Sequence, residues 1–143
     1  MGERMSGRPQ YLIALYIAEH RESAPVSPGI VASMLNRSSA TAIETFHRLD
    51  DEGLVTYKPY DGAELTQVGR ETAAELHDTY VTLSWFFRSV LELDDYESEA
   101  MEMAGVVSPD IADRLASTLP YDGDAAVETR GEPYVSTGDS AQE

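Results

Sequence analysis

Gly53-Leu-Val-Thr-Tyr-Lys-Pro-Tyr-Asp-Gly-Ala-Glu-Leu-Thr-Gln-Val-Gly69 is the stretch that decides the fold. A short β-rich run (Leu54, Val55, Tyr57) is broken by Lys58-Pro59-Tyr60-Asp61-Gly62, and a second short run ends at Thr66. Asp61-Gly62 is a turn dipeptide, and Pro59 is tolerated only where no ladder hydrogen bond is required, so the segment reads as a hairpin. It follows directly on a helix whose start reads Arg37-Ser38-Ser39-Ala40-Thr41. A helix pair followed by a small hairpin is the plan of a winged helix-turn-helix, and such a chain is expected to read DNA.

Upstream, Tyr11, Leu12, Leu15 and Tyr16 follow helical spacing, and Pro9 suits a first turn, which predicts a helix over about 9–21. Ala24-Pro25-Val26 is extended. Ser27-Pro28 then gives an N-cap followed by proline at N1, starting a short helix to Leu35 with Ile30, Val31, Met34 and Leu35 inward. After a turn at 36–39, Ser38 or Ser39 caps a helix through Glu52 that stops at Gly53, a C′ glycine. The second helix of such a pair enters the major groove with its first turns. Arg37, Ser38, Ser39, Ala40 and Thr41 are therefore expected closest to the duplex, Glu44 and Thr45 one turn on, and Ile43, Phe46 and Leu49 inward. Serine and threonine hydroxyls and helix N-terminal amides suit phosphate oxygens, and Glu44 can accept from a cytosine amine. Capping explains either serine taken singly equally well. The hairpin supplies Tyr57, Lys58 and Tyr60; Lys58 reads as a phosphate contact or as a charge guarding an edge strand.

Downstream, Thr66 opens a long helix to about 91. Leu76, Tyr80, Leu83, Phe87 and Leu91 make a stripe at three- and four-residue spacing, widened by Trp85 and Phe86. Asp94 or Asp95 can cap a helix through Met103, and Ser108-Pro109 repeats the earlier start signal for a last helix to about 118. The fold class expected is mainly α: a winged helix-turn-helix over 1–69, an all-helical dimerisation region over 70–119, and an acidic, disordered tail over 120–143. Leu76, Tyr80, Leu83, Trp85, Phe86 and Phe87 are the expected homodimer interface, and two-fold symmetry would match a palindromic operator.

The net charge is −16, with Lys58 the single lysine against nine arginines. A basic surface is the usual footprint of a DNA binder. Residues 1–70, however, are near neutral with seven basic and nine acidic side chains, whereas 71–143 carry three and seventeen. Low lysine with retained arginine suits a proteome adapted to molar salt, where a Debye length of about 3 Å screens repulsion from DNA. The other reading is that the protein does not touch DNA. With no cysteine, disulfides and thiolate metal sites are excluded. No apolar run of membrane-spanning length and no signal core occurs, so a cytoplasmic protein is expected. No Ser/His/Asp constellation, P-loop or dinucleotide fingerprint points to an enzyme.

The run Tyr11-Leu-Ile-Ala-Leu-Tyr-Ile-Ala-Glu19, the helix-turn-helix after Val26, and the gapless spacing Arg48-Leu49, Gly53-Leu54-Val55, Tyr57, Tyr60, Gly62, Leu65-Thr66, Gly69 closely resemble the DtxR/MntR family of iron- or manganese-dependent transcriptional repressors. The resemblance covers about 9–118, is strongest over the winged helix, and implies a short, haloarchaeal-type member without the SH3-like third domain. It also implies a divalent metal, Fe2+ or Mn2+, bound between the first helix and the later ones. On the family's ligand positions this chain carries Gln10, Tyr80, Ser84, Glu97, Met101, Ala104 and Gly105. Alanine and glycine cannot ligate through side chains, which leaves Gln10, Glu97 and Met101 as a depleted donor set. His77 lies one turn before the family's histidine; His20, His47 and His77 each read first as structural or surface residues. The expectation is a metal-independent regulator on a metal-repressor scaffold, or one with a rebuilt, weaker site. Two further readings stand beside it: a MarR-like winged-helix regulator whose aromatic residues (Tyr80, Trp85, Phe86, Phe87) take an organic effector, and a winged-helix protein–protein module.

Overall fold

The computed structural model describes residues 7–118; the tail over 120–143 lies outside the described residues. Six helices and a two-stranded sheet follow in the order α1 (Arg8–Arg21), α2 (Pro28–Leu35), α3 (Ser39–Asp51), β1 (Val55–Lys58), β2 (Gly62–Leu65), α4 (Gln67–Ser89), α5 (Tyr96–Ala104) and α6 (Pro109–Thr118). This is a winged helix-turn-helix followed by helices. By its contacts the chain divides into two compact units, Met1–His77 and Asp78–Glu143, with the boundary inside α4.

The first unit is built around α1. Gln10 reaches back over the start of α1, its Oε1 accepting from Gly7 N–H at 2.8 Å, while the Gly7 carbonyl accepts from Gln10 N–H at 3.1 Å. From Gln10 to Ala18 nearly every side chain of α1 is buried, as befits a helix covered on several sides. Ser27 caps α2 by accepting from Gly29 N–H at 3.2 Å, Pro28 opens it, and Asn36 ends it in the left-handed conformation (φ 58°). Ser38 caps α3 by accepting from Thr41 N–H at 3.1 Å, and Gly53 (φ 81°) supplies the left-handed residue past its end. Tyr11, Leu15, Val31, Phe46, Leu49 and Val55 join α1, α2, α3 and the hairpin in one core, with Tyr11 edge-on to Phe46 at 5.9 Å.

The strands pair antiparallel from Val55–Leu65 to Lys58–Gly62, so Pro59, Tyr60 and Asp61 form the loop. Lys58 and Gly62, expected within the break, are the last ladder pair. The extended stretch before α2 adds a third, one-residue rung: Val26 and Ala63 exchange both N–H···O bonds at 2.8 Å. Thr66 ties the hairpin's exit to its entry, donating to Gly53 O at 2.7 Å and accepting from Gly69 N–H at 3.0 Å at the start of α4. Gly69 lies so close to the Leu54 carbonyl that a Cβ there would collide with backbone.

In the second unit, α5 begins after Asp95, whose side chain makes no capping bond, contrary to expectation; the acidic residues of its first turn, Glu97 and Glu99, complement the dipole instead. Ser108 caps α6 as expected, accepting from Ile111 N–H at 3.2 Å. The long helix ends at Ser89 rather than about 91. No described helix is long and apolar enough to cross a membrane.

Candidate nucleic-acid interface

The first turns of α3 form an open surface. Ser38, Ser39, Ala40, Thr41 and Glu44 are exposed, Arg37 is half-buried, and no acidic residue occupies the first turn. The Ser38 hydroxyl, besides capping, donates to Thr41 Oγ1 at 3.0 Å, so these two groups are oriented before any ligand arrives. Ser39 stands beside the start of α2, its hydroxyl near Gly29. Two helix N-termini with three hydroxyl side chains (Ser27, Ser38, Ser39) thus lie on one side of the unit. Helix N-terminal N–H groups and hydroxyls of this kind suit phosphate oxygens.

Thr45 departs from expectation. It is buried, and its Oγ1 donates to Thr41 O at 2.9 Å. Ala42, Thr45, Phe46 and Leu49 follow the three- and four-residue spacing of an inward stripe, so Thr45 belongs to the core face and does not reach a duplex. Its neighbour there is Tyr11, whose buried hydroxyl has no hydrogen-bond partner among the described residues. Burial pushes the Tyr11 pKa up, with Thr45 and the Arg37 charge acting in the opposite direction. Ile43, expected inward, is half-buried.

The wing is locked to α3 by contacts that the sequence did not announce. Asp50 accepts from Tyr57 N–H at 2.8 Å, and the Tyr57 ring stacks on Phe46 at 6.1 Å with the His47 ring edge-on at 5.0 Å. Asp50 and His47 therefore position the wing against α3. No local sequence rule joins Asp50 to a strand seven residues on; the Arg48–Tyr57 spacing was the available signal. On the other flank Glu19 accepts from Leu65 N–H at 2.8 Å and pairs with Arg70 at 2.7 Å. Lys58 and Tyr60 are both exposed, at the end of β1 and in the loop.

The expected dimer stripe is largely consumed within the chain. Leu76 packs on the core of the first unit, and Tyr80, Leu83 and Phe87 are buried, while Trp85 and Phe86 are half-buried. Spacing of three and four marked the inner face of α4, as it does for any helix with a covered side. Among the described residues of the second unit, the large apolar side chains left exposed are Val90, Leu91, Leu93, Met103, Val106 and Ile111.

For a metal, the donor chemistry is poor. The Gln10 carboxamide oxygen already accepts the Gly7 amide. Glu97 is exposed in the first turn of α5, Met101 is half-buried, Ala104 offers a methyl and Gly105 nothing. Ser84, at a ligand position implied by the resemblance, has a buried hydroxyl without a partner among the described residues. No three His, Cys, Asp or Glu side chains come together among the described residues. His20 Nδ1 lies 2.8 Å from Tyr16 O, and His77 is buried against the Tyr16 ring at 5.1 Å. Such a set does not fit the nitrogen- and carboxylate-rich sphere that a divalent transition ion requires.

Residues 5–63 match the family model described as the iron dependent repressor, N-terminal DNA binding domain. An uncharacterised HTH-type transcriptional regulator of Methanocaldococcus jannaschii is 29% identical over 107 residues, which are 73% of this chain and 86% of that protein. The manganese regulator SloR is similar in structure with a TM-score of 0.70 at 22% identity, over 82% of this chain and 56% of that one. The metal-dependent transcriptional regulator MtsR follows with a TM-score of 0.65 at 20% identity, over 78% and 52%. At these identities the structural likeness establishes the fold, and the chain spans little more than half the length of either structural neighbour.

Proposed function

We propose that this chain is a transcriptional regulator of the DtxR/MntR type that binds a palindromic operator as a homodimer, without the divalent metal of its relatives; the match of residues 5–63 to the iron dependent repressor DNA-binding domain supports the family reading. The observation that carries the proposal is the pre-ordered, acid-free first turn of α3, flanked by a wing that Asp50 and Tyr57 hold to the same helix. In the complex the α3 N-terminus lies in the major groove, with Arg37, Ser38, Ser39 and Thr41 on phosphates, Glu44 towards a base edge, and Lys58 on the backbone beside the groove. Residues 1–69 serve as the reading head and 70–119 as the pairing region. The exposed apolar side chains Val90, Leu91, Leu93, Met103, Val106 and Ile111 extend the candidate pairing surface beyond Trp85 and Phe86.

The depleted donor set supports metal independence: Gln10 is committed to a backbone amide, and Glu97 with Met101 leaves too few ligands. The binding test is fluorescence anisotropy at molar KCl, on duplex DNA from upstream of the protein's own gene against random duplex. Preference for the upstream fragment is expected; equal affinity for both would favour a protein–protein module. Titration with Fe2+, Mn2+ and chelator should leave affinity unchanged. Loss of binding on chelation, reproduced by Glu97→Ala, would overturn the metal-independent reading.

A further inference from the structure

Tyr60 is out of place by every local criterion. Its ring is fully exposed. Its backbone has a φ of 77°, in the left-handed region that side chains seldom adopt. Asp61 N–H bonds Lys58 O at 3.0 Å, closing a four-residue turn with Pro59 second and Tyr60 third. Proline second and a positive φ third is the pattern of a type II turn, whose third residue is ordinarily glycine or asparagine. A tyrosine there strains the backbone and hydrates a large apolar ring, so neither local conformation nor packing accounts for it. Strain that the fold itself does not use points to a ligand.

We propose that the Tyr60 ring is a groove-reading element of the wing: in the DNA complex it enters the minor groove flanking the α3 site and packs against the deoxyribose walls. This rests on the DNA-binding reading above. The four residues of β1 rise about 3.3 Å each, so the tip stands roughly 13 Å from the α3 end of the hairpin, enough to cross one phosphate strand. A minor groove about 6 Å wide admits an aromatic ring edgewise. Asp61, beside the ring, makes charge the wrong attraction at the very tip and leaves the neutral ring as the contacting group, with Lys58 behind it on the phosphate. In a chain of net charge −16, apolar contact also has the advantage that salt does not screen it.

The test compares wild type, Tyr60→Gly, Tyr60→Asn, Tyr60→Phe and Lys58→Ala on the same upstream duplex across a salt series, with melting temperatures alongside. Glycine and asparagine tolerate the turn, so both variants should melt no lower than wild type yet bind at least about fivefold more weakly, with the slope of log K against log salt unchanged. Tyr60→Phe should bind like wild type, and Lys58→Ala should reduce the slope by about one. Replacing flanking G·C pairs with inosine·C alters only the minor-groove edge; it should change wild-type affinity and leave Tyr60→Gly unmoved. Undiminished binding by Tyr60→Gly and Tyr60→Asn, or an inosine effect equal in wild type and Tyr60→Gly, overturns the inference while the regulator reading stands. Wild type that fails to prefer the upstream duplex brings down both.

Discussion

The two units close their cores to different degrees. In the first, Tyr11, Ile13, Leu15, Val26, Val31, Phe46, Leu49 and Val55 are all fully buried, and among the described residues only Tyr60 and Val68 of its large apolar side chains are exposed. The second buries Tyr80, Leu83 and Phe87 beside small alanines, and among its described residues leaves six large apolar side chains in solvent. On the proposed function the first unit is the reading head, which must present fixed geometry to DNA and so needs a self-sufficient core. The second unit, proposed as the pairing region, would finish its core with a second copy that covers its apolar excess. Charge follows the same division, since the excess of carboxylates lies almost wholly beyond residue 70.

The largest expected effect falls on the closed core. Phe46→Ala removes the ring on which Tyr11 and Tyr57 both pack and should cost about 3–5 kcal/mol, read from thermal or urea unfolding at molar KCl. A loss near that expected for a surface site would mean the two units are less different than their burial shows. In the second unit, Val106→Asp combined with Ile111→Asp should leave secondary structure intact while weakening self-association by roughly 1.5–3 kcal/mol per side chain, seen by light scattering across a dilution series. An unchanged dimer would put the pairing surface elsewhere. Ser39→Glu sets a carboxylate against phosphate and should weaken binding to every duplex about tenfold, or about 1.4 kcal/mol, with stability preserved. The smallest effect concerns Tyr11→Phe, which deletes an unpartnered buried hydroxyl and should change neutral-pH stability by less than about 1 kcal/mol. Because burial raises the Tyr11 pKa, its contribution is fully present below the unfolded value of about 10 and is lost as pH rises through the folded value. Alkaline unfolding should therefore begin at lower pH in wild type than in Tyr11→Phe.

What the sequence made legible was local. The caps at Ser27, Ser38 and Ser108, the end at Gly53 and the hairpin with Pro59 outside its ladder are signals carried by neighbouring residues, and each lies where its chemistry placed it. What escaped depended on distance. Asp50 reaches a strand amide seven residues on, and Val26 lends a rung to β2 from thirty-seven positions away. Thr45 was a different kind of miss: its place in the Ala42–Leu49 stripe was readable, but its hydroxyl suggested a surface role. The α4 stripe was read as an interface because periodicity marks a covered face without saying what covers it. Tyr60 was readable as a wing residue but its strained turn was not, since a tyrosine carries no sign of a positive φ.

The hairpin's base and tip differ in what they permit. At the base, Thr66 holds Gly53, Val26 and Ala63 exchange two bonds, Glu19 holds the Leu65 amide, and Gly69 admits no side chain against Leu54. Each of these ties loses its partner if a residue is added or removed there. At the tip, Pro59, Tyr60 and Asp61 are exposed, and beyond the closing turn bond no tie of this kind fixes their number. Lengthening or shortening those three residues alters how far the wing extends while the helices of the proposed reading head stay in register. Reach is thus a property that descendants of this sequence can vary independently of the fold.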